Sequence, residues 1–492
     1  MKKLKKFFKL GEHKTTVKTE IYAGIATFLA MAYVLVVNPN NLLQGNISDP
    51  RWASVFIATA IGAFVGTLAM SLIANKPFGA ASTMGVNAMV GTIIGSAAGF
   101  SFSYGNGMLI ILLSGLIFFL LSILPCGHDK DGKSITIREY LFIGTPKCII
   151  SAIPIGIGLF ITIIGLKNSG LIEPNDFTLV NLVDFSNSSN WVFGGSAWGA
   201  VVTLFGVTLI SILSHYKVKA AVIFGILGAT ILAFFTGIAD INILLGKDEI
   251  ITWSIFENIG NYFSLDPNNG GIFLSVLTEG FKLPEGSLFT LISLVITLIM
   301  LDIFDTIGTI VGCCSNAGLV DETGKPEDYN KIMYADSLST CASSIVGTST
   351  VSTYIESGAG IATGGKTGLT GLTIALLFLA SIFLLPVFAF IPIEAASSAL
   401  LYIGVIMFKD IKKVNFDDIK EAIPAFLTII FMPLSYSITN GIGLGVITYF
   451  VIHLIIYIVD RIKGKKNKFN ISAVTIVIFI LFLIYFLMPK II

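Results

Sequence analysis

The feature that most constrains this chain is the length of its uncharged apolar runs: residues 288–300, 375–390 and 474–488 contain no Asp, Glu, Lys or Arg. A membrane-crossing helix needs roughly 20 mostly apolar residues, and several segments reach that length. Hydrophobic residues make up 54% of the 492 and charged residues 12%, against about 25% charged in a soluble domain. So few charges could not coat a water-soluble chain of this size, so the sequence describes an all-α, polytopic membrane protein embedded in a lipid bilayer. The net charge of +1 gives no reason to expect a nucleic-acid partner. The five cysteines (Cys126, Cys148, Cys313, Cys314 and Cys341) are odd in number and match no metal-ligand spacing, so neither a disulfide framework nor a metal site is expected.

Apolar runs between polar breaks predict fourteen spans: 20–38, 54–74, 77–98, 108–125, 148–166, 196–214, 218–236, 288–313, 332–347, 349–363, 368–390, 392–408, 422–438 and 440–460. A further apolar stretch at 471–489 could be a fifteenth span or an interfacial helix. The positive-inside rule tests the count independently. With the N-terminus inside, 26 of the 31 Lys and Arg residues fall on the cytoplasmic side and only Arg51, Lys167, Lys247 and Lys282 in outer loops. The expected layout is a basic cytoplasmic tail (1–19), a first seven-span repeat (20–236) and an extracellular connection (237–287). A second seven-span repeat (288–460) and a basic linker with the extra apolar segment (461–492) complete it. The first apolar stretch begins only near Ile21 and shows no cleavage pattern, so the tail is expected to be uncleaved.

The third and tenth spans are unlike ordinary helices. Each opens with small, hydroxyl and β-branched residues, Ala80-Ala-Ser-Thr-Met-Gly and Gly347-Thr-Ser-Thr-Val-Ser-Thr, before turning helix-like. Interrupted segments at matching places in two halves point to discontinuous helices lining a midplane site. The echo of Ile153-Pro-Ile by Ile391-Pro-Ile supports a duplication, and an odd number of spans per half requires the halves to be inverted. Acidic groups inside spans mark function by default: Asp302, Asp305 and Glu356 remain once span ends are set aside. Asp302 and Asp305 share a helix face, and Glu356 sits where an extended segment meets a half-helix. There a carboxylate can accept two N–H donors from a planar heterocycle, and neighbouring carboxyl groups away from water take up a proton readily. The alternative for Asp302 and Asp305 is bonding to nearby backbone. Asn87 stands in the third span where Glu356 stands in the tenth; its amide suits a purine edge or an interhelical hydrogen bond.

Other patterns carry less. Gly308 and Gly312 form a small-xxx-small pair suited to helix packing. Gly360-Ile-Ala-Thr-Gly-Gly-Lys366-Thr367 fits the phosphate-loop pattern, but a membrane span follows and no soluble α/β domain is available, so Lys366 is expected to anchor a cytoplasmic turn rather than serve an ATPase. Of the four histidines only His453 lies within a span, as a packing residue. Intramembrane proteolysis would want its aspartates on different helices, and a channel would show a continuous polar face.

The stretches Thr19-Glu-Ile-Tyr-Ala-Gly-Ile-Ala-Thr-Phe-Leu-Ala-Met-Ala-Tyr with Asn38-Pro39, Met84-Gly-Val-Asn-Ala, Asp302-Ile-Phe-Asp-Thr-Ile-Gly-Thr, Gly347-Thr-Ser-Thr-Val-Ser-Thr-Tyr-Ile-Glu-Ser, Gly364-Gly-Lys-Thr-Gly-Leu and Pro424-Ala-Phe-Leu-Thr-Ile-Ile-Phe-Met-Pro-Leu add a resemblance. Over nearly its whole length the chain resembles the AzgA-like hypoxanthine/guanine/adenine permeases of the nucleobase–cation symporter (xanthine/uracil permease) family. The resemblance implies fourteen segments in two inverted repeats, with a core domain (segments 1–4 and 8–11) and a gate domain (5–7 and 12–14). It implies proton symport of a purine base at the plasma membrane, no cofactor beyond the coupling proton, no enzymatic activity, and a homodimer through gate segments. By motif, Asp302 and Glu356 would hold the base, Asn87 would line the site, and Asp305 would support binding or, with Glu356, proton coupling. Met31, Gly85 and Ile355 would add nearby surface. Where the family commonly has Ala-Pro-Gly, this chain reads Ala81-Ser82-Thr83, which bears on the choice among purines, and its 126–147 loop is long. An anion carrier on the same fold is the alternative; it would want basic or dipolar groups where Glu356 stands.

Overall fold

The computed structural model describes residues 2–94, 102–128, 134–175, 178–218, 220–245, 251–264, 266, 269–317, 328–464 and 471–487. Among them the expected segments follow in the expected order. Thr16 caps the first, its hydroxyl accepting from the Thr19 amide at 3.2 Å. The helix Val17–Met31 then breaks at Ala32-Tyr33 and resumes as Val34–Leu42. Among the described residues seven helices are long and apolar enough to cross a membrane unaided, including Trp52–Ala74, Tyr104–Ile123 and Lys147–Asn168. Others fall short for readable reasons: Tyr329–Val346 is rich in Ser and Thr, and Ile419–Leu434 carries Pro424 and Pro433.

The third and tenth segments are a short strand followed by a helix: Ala80–Ser82 then Met84–Ile94, and Val351–Thr353 then Ser357–Ala362. Small and β-branched residues hold helix poorly and suit extended backbone. Extended backbone inside a bilayer needs hydrogen-bond partners from protein, and each strand supplies the other. They pair antiparallel, Ala80 opposite Thr353, Ala81 opposite Ser352 and Ser82 opposite Val351. The pairing extends at both ends, through Thr83 N–H to the Thr350 carbonyl and Tyr354 N–H to the Gly79 carbonyl, each at 2.9 Å. Equivalent strands that pair antiparallel about their middle residues are related by a local two-fold axis, the relation that inverted halves require.

Contacts divide the chain into two compact units. The first comprises Met1–Phe119, Ile164–Ser287 and Thr306–Tyr402 and contains both strands. Its helices approach closely at small residues, as membrane helices do: a side chain on Gly66 would collide with Val351, and one on Gly91 with the Asn41 carbonyl oxygen. Helix Tyr329–Val346 ends at Gly347, whose φ of +89° only glycine adopts freely. The Gly347 and Val346 carbonyls accept from Tyr104 (2.6 Å) and Tyr262 (2.9 Å), so Tyr262 fastens its part of the 237–287 connection to that helix end.

The second unit comprises Leu120–Ile163, Leu288–Asp305 and Ile403–Ile492. Helices Ile419–Leu434 and Ile438–Ile462 form a tight hairpin in which Gly445 lies against Thr428. The extra apolar stretch is the helix Ala473–Leu487. It runs antiparallel to Ile438–Ile462, since Phe479 stacks on Phe450 (centroids 4.0 Å apart) and Phe482 and Phe486 lie against Gly443. Its start binds the long 126–147 loop. That loop folds as paired strands Pro125–His128 and Ser134–Thr136 followed by the helix Ile137–Gly144. The Gly144 carbonyl accepts from the Ser472 hydroxyl and, at 2.9 Å, from Thr475. The two additions that the sequence leaves unexplained are thus one packed feature.

Candidate functional site

The strand crossing brings hydroxyl groups together away from water. Ser82 Oγ lies 3.0 Å from Thr348 Oγ1, and Thr83 Oγ1 lies 2.7 Å from Ser352 Oγ. Asn38 donates to Thr59 at 2.7 Å and Thr348 at 2.9 Å and accepts from Ser349 at 3.3 Å. The amide of the Asn38-Pro39 motif therefore ties the broken first span to the tenth. Tyr354 donates to the Ser82 carbonyl. Each of these polar groups is buried and paired, as a region without water demands.

Past the strand Val351–Thr353 the chain opens. Ile355 is 56% exposed and Glu356 is half-buried, whereas Thr348–Tyr354 and Ser357 are buried. Glu356 immediately precedes the half-helix Ser357–Ala362. Tyr33 Oη, from the break in the first span, donates to Glu356 Oε1 at 2.7 Å. The Ser357 hydroxyl accepts from the Gly79 amide at 3.0 Å, fastening the start of the half-helix to the third span. The result is a half-buried glutamate at a helix break, one carboxylate oxygen already engaged by a phenol.

The other expected residues fall as follows. Met31 is fully buried with its sulfur against Gly79, so it packs beneath the strand pair. Gly85 and Asn87 lie buried on Met84–Ile94. Asn87 Oδ1 accepts from Asn41 Nδ2 at 3.0 Å, and its own Nδ2 reaches Met84 Sδ at 3.7 Å, so of the two readings of this amide the structure displays the interhelical bond. The matched position in the third span is corrected too. Counted from the strand ends at Ser82 and Thr353, Glu356 corresponds to Gly85, and Asn87 lies two residues further on. Asp302 is buried on Leu288–Ala317 within the second compact unit. The Asp305 side chain lies outside the described residues, as do those of Gly308 and Gly312.

Sequence reasoning passes over two residues that hydrogen-bond at this site and beside it. Tyr33 ends the first matching stretch, but nothing in its spacing points at Glu356. Glu20 lies at a span end, where an acid is unremarkable, yet it is fully buried and receives five donors from the Lys366–Thr370 turn. That turn begins with the Lys366-Thr367 that end the phosphate-loop match. It follows a helix, and an internal carboxylate occupies the position a phosphate would take. Lys366 contributes its backbone amide while its side chain is exposed.

The model of the Permease family (Xan_ur_permease) matches residues 18–444. The chain is 34% identical over 473 residues to the adenine permease AdeQ of Escherichia coli, covering 96% of this chain and 94% of that one. It is also 34% identical over 479 residues to the guanine/hypoxanthine permease PbuO of Bacillus subtilis, covering 97% and 99%. Among solved structures, the transmembrane domain of the cyanobacterial bicarbonate transporter BicA superposes with a TM-score of 0.56 at 17% identity, over 86% of this chain and 97% of that one. That likeness shows the shared fold: fourteen segments in two inverted repeats of seven, with core and gate domains.

Proposed function

This chain belongs to the Permease family, and on that premise we propose that it carries a purine nucleobase across the plasma membrane together with protons. It is a multi-pass membrane transporter, not an enzyme. The observation that carries the substrate reading is the half-buried Glu356 at the break of the tenth span, its carboxylate oriented by Tyr33. With one oxygen held by the phenol, the other is free in direction to accept ring or exocyclic N–H groups of a flat heterocycle. Charge-assisted hydrogen bonds of this kind are the strong ones. Hypoxanthine, guanine and adenine all present N–H donors along an edge, and two relatives bear the names of such bases.

Proton coupling is part of the same proposal. The proton enters with the base: protonation at the Glu356 carboxyl once the base is bound lets base and proton cross the bilayer together without an unpaired charge, and both leave on the far side. The family resemblance supports a role in binding or proton coupling for Asp302 and Asp305, and Asn87, Gly85, Met31 and Ile355 would line or back the Glu356 site. The distribution of basic residues supports a cytoplasmic N-terminus, and a homodimer would form through gate segments. Anion carriage on this fold gains no support from the site, because the half-helix starts at an acidic residue rather than at a basic or purely dipolar one.

The test is uptake of labelled hypoxanthine, guanine, adenine and uracil into cells lacking nucleobase permeases, with and without a protonophore, beside Glu356→Gln and Asp302→Asn. Purine uptake abolished by the protonophore and by Glu356→Gln is expected. Purine uptake that survives both would remove proton coupling through the carboxylate. No uptake of any base by correctly inserted protein would remove the substrate reading.

A further inference from the structure

We propose that Glu20 is a positioning residue for substrate binding: it acts at a distance, through Tyr33 and the half-helix, on Glu356, and so rests on the reading of Glu356 given above. The Glu20 carboxylate is fully buried. Oε1 accepts from the Lys366 amide at 3.0 Å, and Oε2 from the Thr367 amide (3.2 Å), the Thr367 hydroxyl (2.8 Å), the Thr370 amide (3.2 Å) and the Thr370 hydroxyl (2.7 Å). These amides open the helix Gly368–Ser381, capped by Thr367. Their positive dipole end favours an anion, so the carboxylate is held by charge and geometry together.

The clamp fixes two elements that meet again at the site. On one side it holds Val17–Met31, the helix that leads to Tyr33. On the other it holds the turn directly after Ser357–Ala362, the half-helix that begins next to Glu356. Val17–Met31 approaches both the half-helix and the helix after the clamp closely at glycines. A Cβ on Gly360 would collide with Thr27 Oγ1 and lie 2.7 Å from the Ala23 carbonyl, and one on Gly24 would lie 2.5 Å from Thr373 Cβ. With so little room at these contacts to absorb a slip, the register set at Glu20 is transmitted to the Tyr33–Glu356 bond. Thirteen residues separate Glu20 from Tyr33 in the sequence, about 20 Å along a helix. The glycine-rich motif that looks like a phosphate site is, on this reading, the seat of that clamp.

Glu20→Ala, Glu20→Gln and Thr370→Val are tested in the full-length protein in cells, with purine uptake normalised to surface amount. A positioning role raises KM, by about tenfold for Glu20→Ala and about threefold for the milder Glu20→Gln and Thr370→Val, the scale of one strong and one ordinary hydrogen bond. A second readout needs no substrate: maleimide labelling of Ile355→Cys in a chain whose five native cysteines are serine. Its rate is expected to change when Glu20→Gln or Thr370→Val is added. If wild type takes up no purine, the substrate reading fails while the labelling still decides the coupling. Loss of surface amount and Vmax with KM and the labelling rate unchanged in Glu20→Gln and Thr370→Val would make Glu20 a purely structural residue and overturn the proposal. Should Glu20→Ala fail to insert, the two milder variants carry the same decision.

Discussion

Replacing Tyr33 by phenylalanine isolates the group that orients Glu356. Tyr33 is buried to 2% exposure, so phenylalanine fills the same space and only the hydroxyl is lost. That hydroxyl donates to Glu356 Oε1 at 2.7 Å, and a hydrogen bond to a charged group contributes roughly 1.5–3 kcal/mol. Because Glu356 is half-buried rather than sealed, water can replace part of the lost donor, which places the effect near the lower end. About 1.4 kcal/mol corresponds to a tenfold change in affinity. The expected result for Tyr33→Phe is therefore a KM for the purine raised roughly tenfold, with surface amount and Vmax close to wild type. Initial-rate uptake across a range of base concentrations, normalised by surface labelling, measures both. A KM within about twofold of wild type, less than ~0.5 kcal/mol, would refute the idea that the phenol sets the carboxylate for binding.

Other consequences are open to measurement. Thr83→Val removes the hydroxyl paired with Ser352 at 2.7 Å; a stability loss of about 1 kcal/mol and an altered ratio of adenine to hypoxanthine uptake are expected, and no change in either would deny the crossing a part in selectivity. Gly91→Ala drives a methyl into the Asn41 carbonyl and should cost at least about 1–3 kcal/mol, lowering the melting temperature in detergent, whereas Gly260→Ala, with nothing within 4 Å, should be tolerated; equal behaviour would refute the close approach. Burial alone would raise the Asp49 carboxyl, but the Arg51 side chain, donating at 2.9 and 2.6 Å, and the Arg51 amide at 2.9 Å outweigh it and hold Asp49 below its ordinary value. A depressed carboxyl stabilises above the unfolded value of about 4 and loses that contribution as pH falls through the lower folded value. The melting advantage of wild type over Asp49→Asn should thus be present at neutral pH and shrink in acid, and an advantage independent of pH would contradict the pairing.

Much of the candidate site is legible in the sequence because its residues break local rules. Glu356 is an acid inside an apolar run, and the Ser/Thr-rich stretches before it and before Met84 cannot hold a helix, so the break and its carboxylate can be placed by inspection. Tyr33 and Glu20 break no rule. A tyrosine near a span end and a glutamate at a helix start are ordinary, and only their partners, 323 and about 350 residues away in sequence, give them meaning. Asn87 shows the converse: its residue type announces an amide able to bond between helices, yet the sequence misplaces its register against Glu356, because the strand ends rather than the Met-Gly motif set the correspondence.

By itself the sequence determined the solvent, the order of segments, the position of the two breaks and the inversion of the halves. All of these follow from hydropathy, charge placement and local backbone preference, which act over a few residues and need no partner. Only the tertiary structure decided which groups satisfy one another once water is excluded. It paired the two strands, filled the phosphate-like turn with the Glu20 carboxylate, set Tyr33 on Glu356 and docked the C-terminal helix on the long loop. In a bilayer every buried polar group must find its partner within the protein, and the choice among distant candidates is made by the packing of helices, which no local pattern records.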